Sequence, residues 1–190
     1  MPSVWLVSDT HFGHAGVCRF THPDDPEVKL RPWTDPDEMD EALIRNWNER
    51  VRPSDKVYHL GDVVINRKFL HILGRLNGDK VLIRGNHDIF KLEDYTAYFR
   101  DVRGYDVKNG MILSHIPVHV ESLGRFGVNI HGHLHSNRIR KIRGVNIKNG
   151  EMLYSAEIDP RYYSVCVEQT DFRPVLFEDV CKGIIEQGGT

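Results

Sequence analysis

The stretch Val4-Trp5-Leu6-Val7-Ser8-Asp9-Thr10-His11 runs from four apolar residues, through one serine, into a carboxylate and an imidazole two positions apart. A short apolar run of this kind, rich in β-branched and aromatic side chains, predicts a buried strand over residues 3–8. In an open α/β sheet such a strand delivers its next residues to the carboxyl edge, where these folds build their sites. Working outward, the same grammar returns four times. Val57-Tyr58-His59-Leu60 precedes Gly61-Asp62, and Val81-Leu82-Ile83 precedes Gly85-Asn86-His87-Asp88. Met111-Ile112-Leu113 precedes Ser114-His115, and Val128-Asn129-Ile130 precedes Gly132-His133-Leu134-His135. Five strands that end in metal-binding side chains predict one shared edge and one shared site.

Helices separate the first of these strands. Asp35-Pro36-Asp37-Glu38 offers a capping carboxylate, a proline for the first turn and acids at the positive end of a helix. Met39, Leu43, Ile44 and Trp47 recur on one face, predicting a helix that ends near Val51-Arg52-Pro53. Strands are expected over 56–60 and 80–84, and helices over 67–76 and 90–99. A polar, Pro- and Asp-rich loop fills His22 to Pro36. Beyond residue 100 short strands follow closely, at 102–107, 111–114, 127–131 and 162–167. An amphipathic helix is predicted from Phe177 to Glu186. Alternating βαβ units that give way to mainly β predict an α/β (α+β) fold of two packed sheets flanked by helices. With no repeat or linker in 190 residues, residues 1–190 read as one domain.

Composition narrows the function classes. A net charge of −2 gives no global basic field of the kind that coats nucleic acid. Cys18, Cys166 and Cys181 are odd in number and lack CxxC spacing, so free thiols in a reducing compartment are expected. No basic-then-apolar leader opens the chain, and no apolar run nears the roughly 20 residues that span a bilayer. The expected location is the cytoplasm, with no membrane partner. Of 11 histidines, five (His11, His87, His115, His133, His135) fall inside the strand-end segments, and this concentration points to metal chemistry.

Asp and His two apart on an extended strand face opposite ways. Just past a strand end, in a glycine-bearing turn such as Thr10-His11-Phe12-Gly13, both can turn to one ion. Gly132-His133-Leu134-His135 repeats the device with two imidazoles. Oxygen and nitrogen donors without cysteine suit Mn²⁺, Fe, Co²⁺, Ni²⁺ or Zn²⁺ rather than a structural zinc finger. Asp9, His11, Asp62, Asn86, His115, His133 and His135 exceed what one tetrahedral ion needs and suffice for two ions sharing a carboxylate. Ion pairs about 3.5–4 Å apart suit phosphoester hydrolysis.

The ordered set DxH, GD, GNHD, a lone His and GHxH resembles the motif set of the calcineurin-like metallophosphoesterase superfamily. The segments Ser8 to His14, Tyr58 to Asp62 and His131 to His133 are similar to those of its small, single-domain bacterial and phage-type branch. The resemblance implies a four-layer sandwich of two sheets flanked by helices. It implies one metal on Asp9, His11, Asp62 and His135 and a second on Asp62, Asn86, His115 and His133, with Asp62 bridging. It also implies that His87 protonates the leaving oxygen, and that Asp88 either orients His87 or anchors its loop.

The expected activity is hydrolysis of a phosphodiester or phosphomonoester by hydroxide generated on two divalent ions, Mn²⁺ favoured. A small nucleotide-type substrate is favoured, without a covalent phosphoenzyme. One rival is a nuclease that uses the basic stretch Arg138, Arg140, Lys141, Arg143 and Lys148. The other is a protein-binding scaffold without chemistry, which the complete ligand set disfavours. His14, His119 and Arg138 are candidate substrate contacts; their plain alternatives are a loop brace, a solvated turn and a solvated charge. His59 and His131 are expected in the core or behind the ligands, and His22 and His71 on the surface. Arg31 and Trp33 are candidates to roof the pocket, with Trp33 alternatively covering the next helix. The segment from Gly144 to Arg161 reads as an extended hairpin that modifies the cleft or meets another copy of the chain.

Overall fold

The structure, a computed structural model, describes residues 2–22 and 24–189; Pro23, in the Pro-rich loop, lies outside them. In chain order the strands are β1 (Val4–Val7), β2 (Thr21–His22), β3 (Asp25–Lys29), β4 (Lys56–His59), β5 (Asp79–Ile83) and β6 (Asp101–Arg103). They continue with β7 (Tyr105–Lys108), β8 (Met111–Ser114), β9 (Asn129–His131), β10 (Arg140–Val145), β11 (Met152–Ile158), β12 (Tyr162–Ser164) and β13 (Val175–Leu176). The α-helices are α1 (Pro36–Arg50), α2 (Leu92–Thr96) and α3 (Phe177–Glu186).

One sheet has the order β13-β1-β4-β5-β6 and the other β12-β9-β8-β7. Within them β1, β4, β5 and β6 run parallel, as do β12, β9 and β8. All five motif-bearing strands therefore point their carboxyl ends the same way within each sheet. Side chains alternate across the pleat and divide the core in two. Leu6, Tyr58, Val81 and Ile83 face inward and meet Leu113 and Ile130 of the second sheet and Val165 just past its end. Trp5, Val7, Val57 and Leu82 face outward and are covered by Met39, Leu43, Ile44 and Trp47 of α1. Phe177, Val180 and Ile184 of α3 join the inner cluster. The outer face of the second sheet carries a thinner layer, in which Ile112 and Tyr162 pack under Leu123 of the 3₁₀ turn Val120–Leu123.

The local reasons match the sequence. Asp35 caps α1 by accepting from the Asp37 N–H at 3.0 Å, with Pro36 behind it. The expected helix over 67–76 forms as a 3₁₀ helix, Arg67–Arg75. The single strand expected over 102–107 is two: β6 completes the first sheet, the chain crosses at Gly104, and β7 pairs antiparallel with β8 in the second. Val102 and Val107 belong to different sheets, a handover that alternation along the segment does not encode. Within the Pro-rich loop β2 and β3 form a small exposed hairpin, and β10 with β11 form the extended hairpin of the Gly144–Arg161 region.

His59 ends β4 deep in the core, stacked at 6.1 Å on Trp47. Its Nδ1 accepts from the Gly61 N–H (3.2 Å), which leaves Nε2–H to donate to Thr10 Oγ1 (3.0 Å). Burial pushes this imidazole down to about 3. The unfolded chain takes up that proton near the ordinary value and the folded chain does not. Stability should fall as pH drops from about 6.5 toward 3, by roughly 1.4 kcal/mol per pH unit from this one group. Urea denaturation between pH 7 and pH 5 should therefore show a steeper loss for wild type than for His59→Gln; equal slopes would contradict a dry, neutral His59.

Candidate metal centre

Backbone bonds stitch the loop leaving β1 to that leaving β4 and the loop leaving β8 to that leaving β9, while the Asp62 and Asp88 carboxylates tie in the loop leaving β5. The Asp9 N–H donates to Gly61 O, His11 N–H to Asp62 O and Gly132 N–H to His115 O, each at 3.0 Å. The Ser8–Cys166 bridge ties the exits of the two sheets. Five of the seven candidate ligands sit in the left-handed region: Asp9 (φ 60°), His11 (50°), Asp62 (57°), His133 (70°) and His135 (51°). Each costs an L-residue on the order of 1 kcal/mol and persists only where neighbours dictate it. Glycine permits the close approach: a Cβ on Gly132 would collide with Ser8 Oγ and Asp9 Oδ2, and one on Gly85 with the Asp62 carboxylate.

The side chains gather in two groups. The ligand atoms of Asp9, His11 and His135 lie within 4.8 Å of one another, as do those of Asp62, His115 and His133. Asp62 Oδ2 stands between the groups, 3.7 Å from His11 Nε2 and 3.3 Å from His115 Nε2. Asn86 Oδ1 reaches the second group, 2.9 Å from His115 Nε2. Two observations test whether a cation fits. The Asp9 Oδ1 and both His11 ring nitrogens are buried with no hydrogen-bond partner among the described residues, which folded proteins seldom tolerate. His115 Nδ1 donates to Leu60 O (2.7 Å), so the neutral ring turns the lone pair of Nε2 toward the oxygens of Asp62 and Asn86. With His115 neutral, these converging lone pairs are what a divalent cation satisfies, the cation taking the place of the proton that Asp62 otherwise favours on Nε2. The residues fit the group.

Electrostatics points the same way. Burial alone would raise the Asp9 carboxyl, but its contact with His11 and the neighbouring imidazoles outweigh burial and hold it far below the usual range. Burial likewise opposes a charged His115, yet the Asp62 carboxylate lifts it above its ordinary value. His133, with less carboxylate around it, is lowered by burial and by His115.

His87 is exposed above the first group, its ring 5.6 Å from that of His11, and its N–H donates to Asp62 Oδ1 at 2.8 Å. Asp88 is buried, and its oxygens accept from the N–H groups of Asp62 (2.8 Å), Gly85 (2.8 Å) and Val63 (3.0 Å). Of the two roles expected for Asp88, these contacts are those of a loop anchor. His14 lies 5.7 Å from His11, ring to ring, with Nδ1 accepting from its own loop at Val17 N–H (2.8 Å). His119 is exposed and caps the turn Val120–Leu123 by accepting from the Glu121 N–H (3.3 Å). Arg138 is exposed and donates to Gln169 Oε1 (3.0 Å), whose amide in turn donates to His135 O (3.0 Å). The remaining basic residues of that stretch lie on β10 and the turn beyond, where Lys141 pairs with Glu157.

Three groups stand behind the candidate ligands, two of them, Glu168 and Asp40, carrying no signal in the sequence and the third, Arg31, expected elsewhere. Glu168 accepts from His135 Nδ1 at 3.0 Å, which leaves His135 Nε2 for a metal. Arg31 does not roof the pocket. It is 0% exposed and lies beneath, donating to Asp9 O (2.6 Å), Thr10 O (2.9 Å) and Glu168 Oε1 (2.8 Å). Trp33 instead packs against Phe172, 4.8 Å between ring centroids. Asp40 of α1 accepts from the Gly13 N–H with both oxygens, and burial pushes its carboxyl up to about 6. Glu168→Gln should weaken one metal site by about 10- to 100-fold while the other keeps its affinity. Metal titration followed by calorimetry checks this, and an unchanged two-site isotherm would contradict it.

Two packed sheets carry paired oxygen–nitrogen donor groups on their common edge, two candidate sites for divalent metal. The chain belongs to the calcineurin-like phosphoesterase family, whose model matches residues 2–168, a family of hydrolases that use divalent metals. It is 32% identical over 196 residues to an uncharacterised protein, MJ1445, of Methanocaldococcus jannaschii, covering 99% of this chain and 94% of that one. It is also 32% identical over 93 residues to the gene 66 protein of Mycobacterium phage L5, covering 46% of this chain and 41% of that one. Among solved structures it is similar to AQ665 of Aquifex aeolicus, a protein of unknown function, with 25% identity and a TM-score of 0.65 over 96% of this chain and 99% of the other. No helix among the described residues is long and apolar enough to cross a membrane.

Proposed function

We propose that residues 1–190 act as one unit that hydrolyses a phosphodiester or phosphomonoester, with a small nucleotide-type substrate favoured. The observation that supports this best is the position of Asp62 Oδ2, within 3.7 Å of a donor atom in each candidate group. In this reading Asp9, His11, Asp62 and His135 hold one divalent ion, and Asp62, Asn86, His115 and His133 the other, Mn²⁺ favoured. Two such ions supply charge that stabilises the phosphoryl oxygens in the transition state and acidifies an attacking water. The chain's own residues do the rest. Asp88 and Arg31 hold the loops so that the donor atoms need no rearrangement when charge develops. His87, exposed on the solvent side, carries a proton on a ring nitrogen and gives it to the leaving oxygen. Serine attack is disfavoured, because Ser8 Oγ donates to Leu60 O (2.9 Å) and Ser114 Oγ to Ile116 O (2.8 Å).

The test is turnover of bis-p-nitrophenyl phosphate and p-nitrophenyl phosphate by protein stripped of metal and then resupplied. Activity that appears with Mn²⁺ and vanishes with chelator is the expected result. No turnover of either ester with Mn²⁺, Fe²⁺, Co²⁺, Ni²⁺ or Zn²⁺ would overturn the reading.

A further inference from the structure

A cleft of about 500 Å³ opens beside the second donor group and shares Asn86 and His115 with it. Its size lies in the range of small-molecule sites, roughly 300–1,000 Å³, and like them it is mainly apolar with a few polar groups. Tyr105 and Ile116 line it, and they are 64% and 52% exposed. In the sheet register Tyr105 is paired with Ser114, so the two side chains share one face of the sheet, and both line the cleft that also takes in His115. Phe126 lines the same cleft from its partly buried position against the outer cluster. The Arg125 guanidinium lies 4.8 Å from the Phe126 ring centroid, a flat cation-and-ring pair. Large apolar side chains left in water singly need no explanation, but a contiguous set on the wall of a cleft marks a binding surface.

From this continuity we infer that the cleft receives a planar aromatic group, a nucleobase or an aryl ester, attached to the phosphorus that the metal centre holds. The inference rests on the phosphoester reading and deepens it by naming the substrate class. A methyl or sugar substituent leaves Tyr105, Ile116 and Phe126 hydrated, whereas a ring buries them and stacks on flat partners. A polar sugar phosphate gains nothing from this wall.

Calorimetric titration of the Mn²⁺-supplied protein with phenylphosphonate and with methylphosphonate separates these cases, because neither carbon–phosphorus bond is hydrolysed. Phenylphosphonate is expected to bind at least about tenfold more tightly. The ratio should collapse toward one in Ile116→Asp and in Tyr105→Ala, two changes at exposed positions that spare the core. Equal affinities in wild type, or a ratio that both variants keep, would overturn the inference. The readout is binding, so it stands apart from turnover of the p-nitrophenyl esters: loss of turnover with the ratio intact strikes the hydrolase reading alone.

Discussion

Asp62→Asn is expected to lower kcat/KM by about a thousandfold and to reduce the metal bound per chain from two ions to one or none. The substitution keeps the size of the side chain and its Oδ1, which accepts the His87 N–H, so the loop carrying Asn86 and His87 stays in place. It removes the charge from the one oxygen that faces both groups of donors, 3.7 Å from His11 and 3.3 Å from His115. Two cations a few ångströms apart repel strongly in a buried site, and a shared carboxylate is what makes double occupancy favourable. Losing it should therefore cost affinity at both positions together, whereas a ligand that serves one ion costs affinity at one. Elemental analysis of dialysed protein beside steady-state kinetics measures both quantities. Two retained ions with near-wild-type kcat/KM would remove the bridging role.

The second large effect is at His87. His87→Ala should lower kcat by about 10²- to 10⁴-fold while metal content stays at the wild-type value. The ring is exposed and only its backbone N–H touches the candidate ligand set, through Asp62 Oδ1, so truncation leaves the donors in place. The loss should depend on the leaving group. Esters of p-nitrophenol leave as stable anions and need little proton donation, while alkyl esters need it fully. A deficit of the same size for both ester types would argue against proton transfer, and loss of metal in this variant would argue for a ligand instead.

Much of this candidate site was legible because its candidate ligands follow strands whose apolar runs are local signals. Asp9, Asp62, Asn86, His115 and His133 each stand within a few residues of a strand end, so the sequence pattern delivers them to one edge without any knowledge of pairing. Glu168 was invisible for the opposite reason. It lies 33 residues beyond His135 in sequence, on a 3₁₀ turn, and becomes relevant only when the Ser8–Cys166 bridge brings that turn beside the His135 loop. Arg31 lies beneath the pocket rather than over it because its partners, Glu168 and two loop carbonyls, are distant in sequence and only the fold brings them together around a fully covered guanidinium. The β6–β7 handover was missed on similar grounds. Hydrophobic alternation reports that a residue lies on a strand and not which sheet holds that strand. The left-handed conformations at Asp9, His11, Asp62, His133 and His135 were equally unreadable, since no glycine marks those positions. They are conflicts between local preference and the fold, and such conflicts concentrate at functional sites.

The most direct measurement is anomalous diffraction from crystals of the protein supplied with Mn²⁺. Two peaks separated by about 3.5–4 Å, one beside Asp9, His11 and His135, the other beside Asn86, His115 and His133, with Asp62 Oδ2 touching both, are what this account predicts. A single peak, or two peaks too distant to share the Asp62 carboxylate, would contradict it.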